Sequence, residues 1–528
     1  MSPLRLIRRN LSYFRAASLA VVAGTAVATA VLAGSLMVGD SVRGSLRQLA
    51  VQRLGPADYA LVANRFFDDS PAASLAKRVA AAAGVAGKVD VAPAVVGNGA
   101  AAAGPGDKRT RTGDVQVLGV GAGGASAPGW PQIARGQTVL NGEAADALGV
   151  AAAGPADVTF TLPSREDVPR ESTVARRSAD ELSFPLRASA VAQVARDRGL
   201  LSLFSLAGGQ RTPRNAWVNL ADLQDAVQQP GRANVLLATD KGFDYGAAGE
   251  YAATKRVGEL LPALNAAVRD VVTLGDYGLD VTTSKATGER VVSTKATYLD
   301  PPTIAAAMEA GKKLGVEPRL VTVNLVNRVV LTDDKGNAAK DAPALHYVIG
   351  AGVSRLDDGP IGPDEIAFNQ ETADQLKAKV GDRVRLDYYR RDADGKLAEV
   401  TSASQGLVFR VAKILPMAGV GNDAQLTPTF KGLTDSASVA DWNPPAELKI
   451  DTKLAEKDND AYWRKHKAAP RLLVHVDAAR KMWGGPWGDV TSVRVPADKG
   501  DAFADVLRRT IDPAALGFAF QPVKLQQL

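Results

Sequence analysis

The chemistry available to this chain is limited by its side chains. It has three histidines, His346, His466 and His475, and no cysteine. The lack of cysteine removes disulfides, thiolate nucleophiles and Cys-ligated zinc together. His475 lies in "LLVHVD", where alternation predicts an ordinary strand position; His346 precedes Tyr347 on a second predicted strand; His466 sits in the basic stretch "WRKHKAAP" beside Trp463. None has a second histidine at H-x-x-x-H spacing, so no zinc-binding helix face is encoded. No G-x-S-x-G elbow and no G-x-x-x-x-G-K-[ST] phosphate cradle occurs. "GPGDKRT" (104–110) has the right residue types at the wrong spacing, and "GVGAGGAS" (119–126) runs into "APGWP", which cannot open a helix. Asp68-Asp69 and Asp357-Asp358 could serve acid–base chemistry, but adjacent carboxylates are common in turns. The sequence therefore assigns no catalytic, metal or cofactor-binding residue, and its reading is of a protein that is not an enzyme and carries no cofactor.

The chain must therefore be read through its elements. Of the net charge of +6, four positive charges come from Arg5, Arg8, Arg9 and Arg15; the remainder is nearly balanced, which argues against a nucleic-acid surface. Residues 16–39 carry no charge. As a helix they reach roughly 36 Å, enough for a hydrocarbon core of about 30 Å. Ala28-Thr29-Ala30 has the form of a signal-peptide cleavage site, but the apolar run exceeds the usual ~7–15 residues of such a signal. The expectation is a retained transmembrane helix, with the arginine side in the cytoplasm and the bulk of the chain outside. Leu4, Ile7, Leu11 and Phe14 share a helical face flanked by arginines, which suits a helix on the membrane surface anchored by Arg5, Arg8, Arg9 and Arg15. Ala20, Gly24 and Ala28 form a small-residue stripe that admits a second helix. Beyond the span, Val42, Leu46 and Leu49 continue the apolar rhythm to Gly55-Pro56. They predict a stalk helix that rises into the soluble part.

The soluble part repeats itself. "QTVLNGEAADALGV" (137–150) matches "DEIAFNQETADQLKAKVGD" (364–382), with Asn141 and Asn369 each leading a strand into a helix. "PRNAWVNLADLQDAV" (213–227) matches "PRLLVHVDAARKMW" (470–483), and "ANVLLATDKG" (233–242) matches "TSVRVPADKG" (491–500). "FFDDSPAASLAKRVAAAAG" (66–84) pairs with "TYLDPPTIAAAMEAGKKLG" (297–315), "DVQVLGVGAG" (114–123) with "LHYVIGAGVS" (345–354), and "YGLDVT" (277–282) with "LGFAFQ" (516–521). β-rich lobes are expected near 157–212 and 384–460, with exposed hairpins at 161–181 and 388–406 and a turn at "DDKGN" (333–337). Trp442, Trp463, Trp483 and Trp487 fall late in the second copy, where core packing is preferred to a recognition patch.

The chain resembles the extracytoplasmic part of ABC-transporter permeases of the FtsX-like, MacB-like family. The resemblance is carried by "RRNLSYFRAASLAVVAGTAVATAVLAGSLMVGDSVRGSL", "RLGPADYAL" (53–61), "NQETADQLKAKVGDRVRLDYY", "DNDAYWRKHKAAPRLLVHV" and "WGDVTSVRV". It implies an α+β chain: one N-terminal transmembrane helix with stalk, then two tandem MacB-like periplasmic units, each an α+β core with a β-rich lobe. The expected division is a cytoplasmic amphipathic segment (1–15), the transmembrane helix (16–39), the stalk (40–55) and the units 56–283 and 284–528. The family has three further transmembrane helices that this sequence does not contain, so the expectation is a fragment, or a split or degenerate permease. The implied function is non-catalytic: passing ATPase-driven motion to a periplasmic domain, with Val42, Leu46 and Leu49 of the stalk expected to transmit it by packing against the first unit, for export or extraction of an unknown substrate, in a bacterial inner membrane. The implied partners are an ABC-type ATPase subunit, a second copy or another permease chain, and the bilayer. The alternatives are a membrane-anchored periplasmic scaffold or sensor without an ATPase, and a secreted hydrolase, for which no nucleophile and base are found.

Overall fold

The computed structural model describes residues 3–70, 74–104, 109–121, 129–163, 183–197, 199–206, 212–339, 341–357, 359–391, 397–401, 408–430, 432–442, 448, 450–485 and 488–527. The chain opens with α1 (Pro3–Tyr13) and α2 (Arg15–Leu54). Between them Phe14 N donates to Asn10 O and Ser18 N to Phe14 O, both at 2.9 Å, so the helical ladder bends without breaking. Rich in alanine and free of proline, α2 runs for 40 residues, roughly 60 Å at about 1.5 Å per residue. The Thr25 and Thr29 hydroxyls donate to the carbonyls of Val21 and Thr25 at 2.8 Å, so neither presents an unpaired donor on an apolar surface. The helix stops where Gly55 takes φ +54°, a conformation that side chains resist, and Pro56 follows.

In the first half follow β1 (Tyr59–Asp68), α3 (Leu75–Ala81), β2 (Val89–Ala103), β3 (Thr110–Val120), β4 (Gln137–Asn141), α4 (Gly142–Leu148), β5 (Gly154–Pro163), β6 (Ser183–Ala195), α5 (Leu200–Leu203), β7 (Arg214–Asn219), α6 (Leu220–Ala226), β8 (Arg232–Asp240), α7 (Glu250–Val271) and β9 (Leu279–Thr283). In the second half come β10 (Arg290–Thr294), α8 (Pro301–Leu314), β11 (Arg319–Thr332), β12 (Ala344–Val353), β13 (Glu365–Asn369), α9 (Gln370–Leu376), β14 (Arg383–Arg391), β15 (Leu397–Val400), β16 (Val408–Leu415), α10 (Thr452–His466), β17 (Leu472–His475), α11 (Val476–Trp483), β18 (Ser492–Val495), α12 (Gly500–Thr510), β19 (Phe520–Gln521) and α13 (Val523–Gln527).

The pairings of the two halves correspond strand by strand. One sheet runs β19-β1-β8-β2-β3-β7-β4-β6-β5 and the other β9-β10-β18-β11-β12-β17-β13-β16-β14-β15. In each, the far strands close on themselves: β5 returns to β2, and β14 returns to β11. Parallel pairs fall at the same places, β3/β7 and β4/β6 against β12/β17 and β13/β16. The register shift at Thr138/Val139 has its counterpart at Ile366/Ala367. Asn141 and Asn369 cap α4 and α9, each accepting from a backbone N–H three residues on at 3.0 Å. Both asparagines are wholly buried, and their amides are spent on neighbouring groups: Asn141 Nδ2 donates to Ser202 O and Pro213 O, and Asn369 Nδ2 to the Tyr462 hydroxyl.

The β-rich regions are broader than the expected 157–212 and 384–460. The long strands β2 and β11 pair first with β8 and β18, then cross into the closed rings, which therefore begin near Val95 and Val321. Of the two expected hairpins, residues 164–182, 392–396 and 402–407 lie outside the described residues; their flanks pair as β5/β6 and β14/β15. The 333–337 turn joins β11 to β12, with Asp333 N donating to Asn337 O at 2.9 Å. Trp442 and Trp463 are buried edge to face at 5.1 Å and Trp483 is buried in the second ring, which is core packing; Trp487 lies outside the described residues.

The two halves exchange their last strands. β9, the strand that ends at residue 283, pairs with β10, and β19 returns from the far end of the chain to pair with β1. A single core results, with Phe67, Tyr277 and Leu279 beside Val292, Phe503, Phe518 and Phe520. Phe518 sits edge to face on Phe67 at 6.0 Å and on Tyr277 at 5.2 Å. Arg65 of β1 spans the halves, reaching Asp300 at 2.6 Å and donating to the Tyr277 carbonyl. Phe518→Ala should therefore destabilise the first half from the opposite end of the sequence, by about 3–5 kcal/mol. Thermal unfolding, with proteolytic fragments mapped by mass spectrometry, should show new cuts between residues 59 and 279.

Candidate functional site

The three histidines lie apart and serve structure. His346 Nδ1 is 2.8 Å from Asp458 Oδ2, which ties β12 to α10. His466 bridges Asn422 at 2.9 Å and Glu371 at 2.9 Å. His475 caps α11, accepting from Asp477 N at 3.2 Å. Among the described residues no group of three histidine, aspartate or glutamate side chains is placed to hold a metal.

The candidate site is the N-terminal helix and its attachment to the body. From Leu19 to Val38 every valine, leucine and methionine is 64–73% exposed. Such a cylinder satisfies its backbone internally and is mostly hydrocarbon outside, with the Thr25 and Thr29 hydroxyls turned back to the helix's own carbonyls, the condition for a helix in lipid. It is the one helix among the described residues long and apolar enough to cross a membrane. Arg5, Arg8, Arg9 and Arg15 are exposed on α1 and at the start of α2, as are Leu4, Ile7, Leu11 and Phe14.

The stalk residues are placed differently from expectation. Val42, Leu46 and Leu49 are 53%, 60% and 40% exposed and do not pack on the first unit. Among the described residues of α2, the fully buried one is Leu54, in its last turn. There Leu54, Ala57 and Asp58 are buried, and α2 packs against α5 and α13. The socket is aromatic: Trp130, Phe204 and Trp217 stack around α5, with Phe204 5.3 Å from Trp217 and Trp217 Nε1 donating to Leu201 O at 2.8 Å. A side chain on Gly55 would meet Leu200 Cδ1 at 2.6 Å. The "RLGPADYAL" stretch contains this junction, but its spacing alone does not show which residues are enclosed.

Both ends of the body meet there. Lys524 of α13 pairs with Asp58 at 2.7 Å, with side chains 10% and 3% exposed. Asp58 also accepts from Asp240 N at 2.7 Å, and Asp240 holds Arg256 at 2.7 and 2.8 Å. Burial pushes the Asp58 carboxyl above its ordinary range, and Lys524 works against that shift. Nearby, the Tyr59 and Tyr245 hydroxyls share a hydrogen bond of 2.6 Å; burial raises both, Tyr245 to about 12. This network keeps charge off the solvent face and holds the base of the helix.

No protein-family model matches the chain, and no curated protein matches it. Among solved structures it is similar to the extracellular domain of the noncanonic ABC-type transporter YknZ from Gram-positive bacteria, at 10% identity over 40% of this chain and 93% of that one, TM-score 0.22. It is also similar to the periplasmic region of MacB from Actinobacillus actinomycetemcomitans, at 13% identity over 40% of this chain and 86% of that one, TM-score 0.21. At these scores, fold and function rest on the chain's own residues.

Lys524→Met should strand a buried carboxylate and cost about 3–5 kcal/mol at neutral pH. Asp58→Asn should restore much of the loss. A carboxyl raised in the folded state penalises folding only once ionised. The deficit of Lys524→Met should therefore shrink as pH falls through the raised Asp58 value and vanish below the unfolded one. Thermal unfolding across pH in the single and double variants measures this. Gly55→Ala should loosen the same junction by about 1–3 kcal/mol, through strain and the Leu200 contact. The readout is faster proteolysis between residues 51 and 58.

Proposed function

We propose that this chain is a non-catalytic component of an ABC-type membrane transporter, with α1 on the cytoplasmic face, α2 crossing the inner membrane of a bacterium, and the body outside. The observation that carries this reading is a single rod whose outer surface is hydrocarbon along one stretch and whose last turn is locked into a folded core. Hydrogen-bonded without a break, α2 is stiff enough to pass a tilt or rotation to Leu54 and Ala57, and through the aromatic socket to the first ring. An ATPase subunit supplies that motion, as the sequence resemblance implies. A second copy, or another permease chain, packs on Ala20, Gly24 and Ala28, where a Cβ added at Gly24 meets nothing within 4 Å. The exposed Val42, Leu46 and Leu49 form a second apolar strip available to that neighbour. The units 56–283 and 284–528 are tandem copies of one MacB-like fold; the matched strand pairings and the paired asparagine caps support this, with the terminal strands exchanged between them.

The chain has no cysteine, so single reporters are clean. In intact cells, a membrane-impermeant maleimide should label Glu250→Cys and reach Asn10→Cys only after permeabilisation. The reverse pattern, or a soluble mature protein lacking its first thirty or so residues, would overturn the topology. Purification of the full chain should bring down an ATP-hydrolysing subunit. A consistently ATPase-free preparation would favour the anchored scaffold.

A further inference from the structure

Between the two halves lies a cleft of roughly 720 Å³. Its walls differ. One wall, drawn from residues 66–234, is apolar at Phe66, Leu162, Phe184 and Val227, carries the amides of Gln228 and Gln229 at its side, and has no hydroxyl side chain. The facing wall, made by β9 together with β10 and β18 of the second half, contributes hydroxyls, among them Thr282, Ser293, Thr294 and Ser492.

Strand alternation explains the second wall. Directly paired residues in an antiparallel sheet share a face. Asp280 pairs with Ser293 and Ser293 with Ser492, while Thr282 pairs with Val291 in the next row, so all five face one side. On the opposite side of the same strands, Val292 and Val493 enter the common core. The hairpin is thus fixed from behind and presents a rigid polar face to the cleft.

Ser492 is 3% exposed, and its hydroxyl has no hydrogen-bond partner. A buried, unpaired hydroxyl costs free energy unless something in the cavity meets it. Its counterpart in the repeated blocks is Asn234, which also lines the cleft but is satisfied: it accepts from Val96 N and donates to Val96 O, both at 3.0 Å. The two positions differ here: the Asn234 amide is satisfied within the fold, and the Ser492 hydroxyl is not. The only ionisable residues in the described lining are Asp280 and Lys295, one of each sign, so the cleft offers no net charge to an ion. At about 30 Å³ per heavy atom, the volume suits a molecule of roughly twenty non-hydrogen atoms.

We propose that this cleft binds an uncharged amphiphile, its apolar body against Phe66, Leu162, Phe184 and Val227 and its hydroxyl- or amide-bearing end against β9, β10 and β18, with the Ser492 hydroxyl taking one hydrogen bond. The site belongs to the body alone and does not depend on the coupling role of α2.

Equilibrium dialysis of radiolabelled n-octyl-β-D-glucoside below its critical micelle concentration tests this. The receptor is the full chain in phosphatidylcholine nanodiscs, with empty nanodiscs as the partition background. The expected result is one saturable equivalent per chain above background. Ser293→Trp and Lys295→Trp, both on the cleft face of β10 and its extension, should each weaken binding at least tenfold, with unchanged circular dichroism in at least one of them. Ser492→Ala should weaken it about fivefold. Octyl sulfate should compete at least tenfold more weakly than unlabelled octyl glucoside, and glucose not at all. Absence of a saturable excess, as when the cleft holds water only, would overturn the proposal. So would saturable binding that the folded tryptophan variant leaves intact, or equal competition by octyl sulfate.

Discussion

A strand edge is a row of unpaired donors and acceptors, and it must be covered. In this protein β1 and β10 each have one edge filled by their own half, through β8 and β18. The other edge is filled by the last strand of the opposite half, β19 on β1 and β9 on β10. Everything else follows from that exchange. Because each half completes the other, the aromatic and aliphatic faces beneath the exchanged strands merge into one core, and neither half can leave without uncovering an edge and opening that core. The closed rings stand outside the shared region. Their own pairings close on themselves, so they need no partner strand.

The exchange also fixes where the helical rod meets the body. The return of β19 to β1 carries α13 to the foot of α2, so the helical rod meets the first and the last residues of the body in one place. Lys524 and Asp58 fasten that meeting point, and Trp130, Phe204 and Trp217 give it a stiff lining. The base of the rod packs with Trp130, Phe204, Trp217 and Val523, a cluster to which both ends of the body contribute. The exposed strip formed by Val42, Leu46 and Leu49 lies below this attachment, outside the body's own packing.

The local features of this arrangement are legible in the chain. The helix that ends at Gly55-Pro56, the arginines before the uncharged run, the paired asparagines at 141 and 369, and the repeated blocks are set by short-range preferences: apolar content, breakers and capping chemistry. They can be read from neighbours in sequence. The junction was only half legible. Leu54, Gly55 and Pro56 mark the end of the rod, but the apolar rhythm at Val42, Leu46 and Leu49 looks the same whether a surface covers it or not.

The sequence by itself determined that there is one long apolar helix with arginines ahead of it, that this helix ends at Gly55-Pro56, and that Asn141 and Asn369 each lead a strand into a helix. Tertiary structure alone decided which strand fills which edge, that β2 and β11 bend into closed rings, which turn of the rod is enclosed, and that the Ser492 hydroxyl is left without a partner where Asn234 is satisfied. The physical reason is range. Helix formation and capping act over a few residues, whereas an edge, a socket or a cleft is made by groups hundreds of residues apart, and the repeated sequence is equally compatible with each copy keeping its own last strand or lending it to the other.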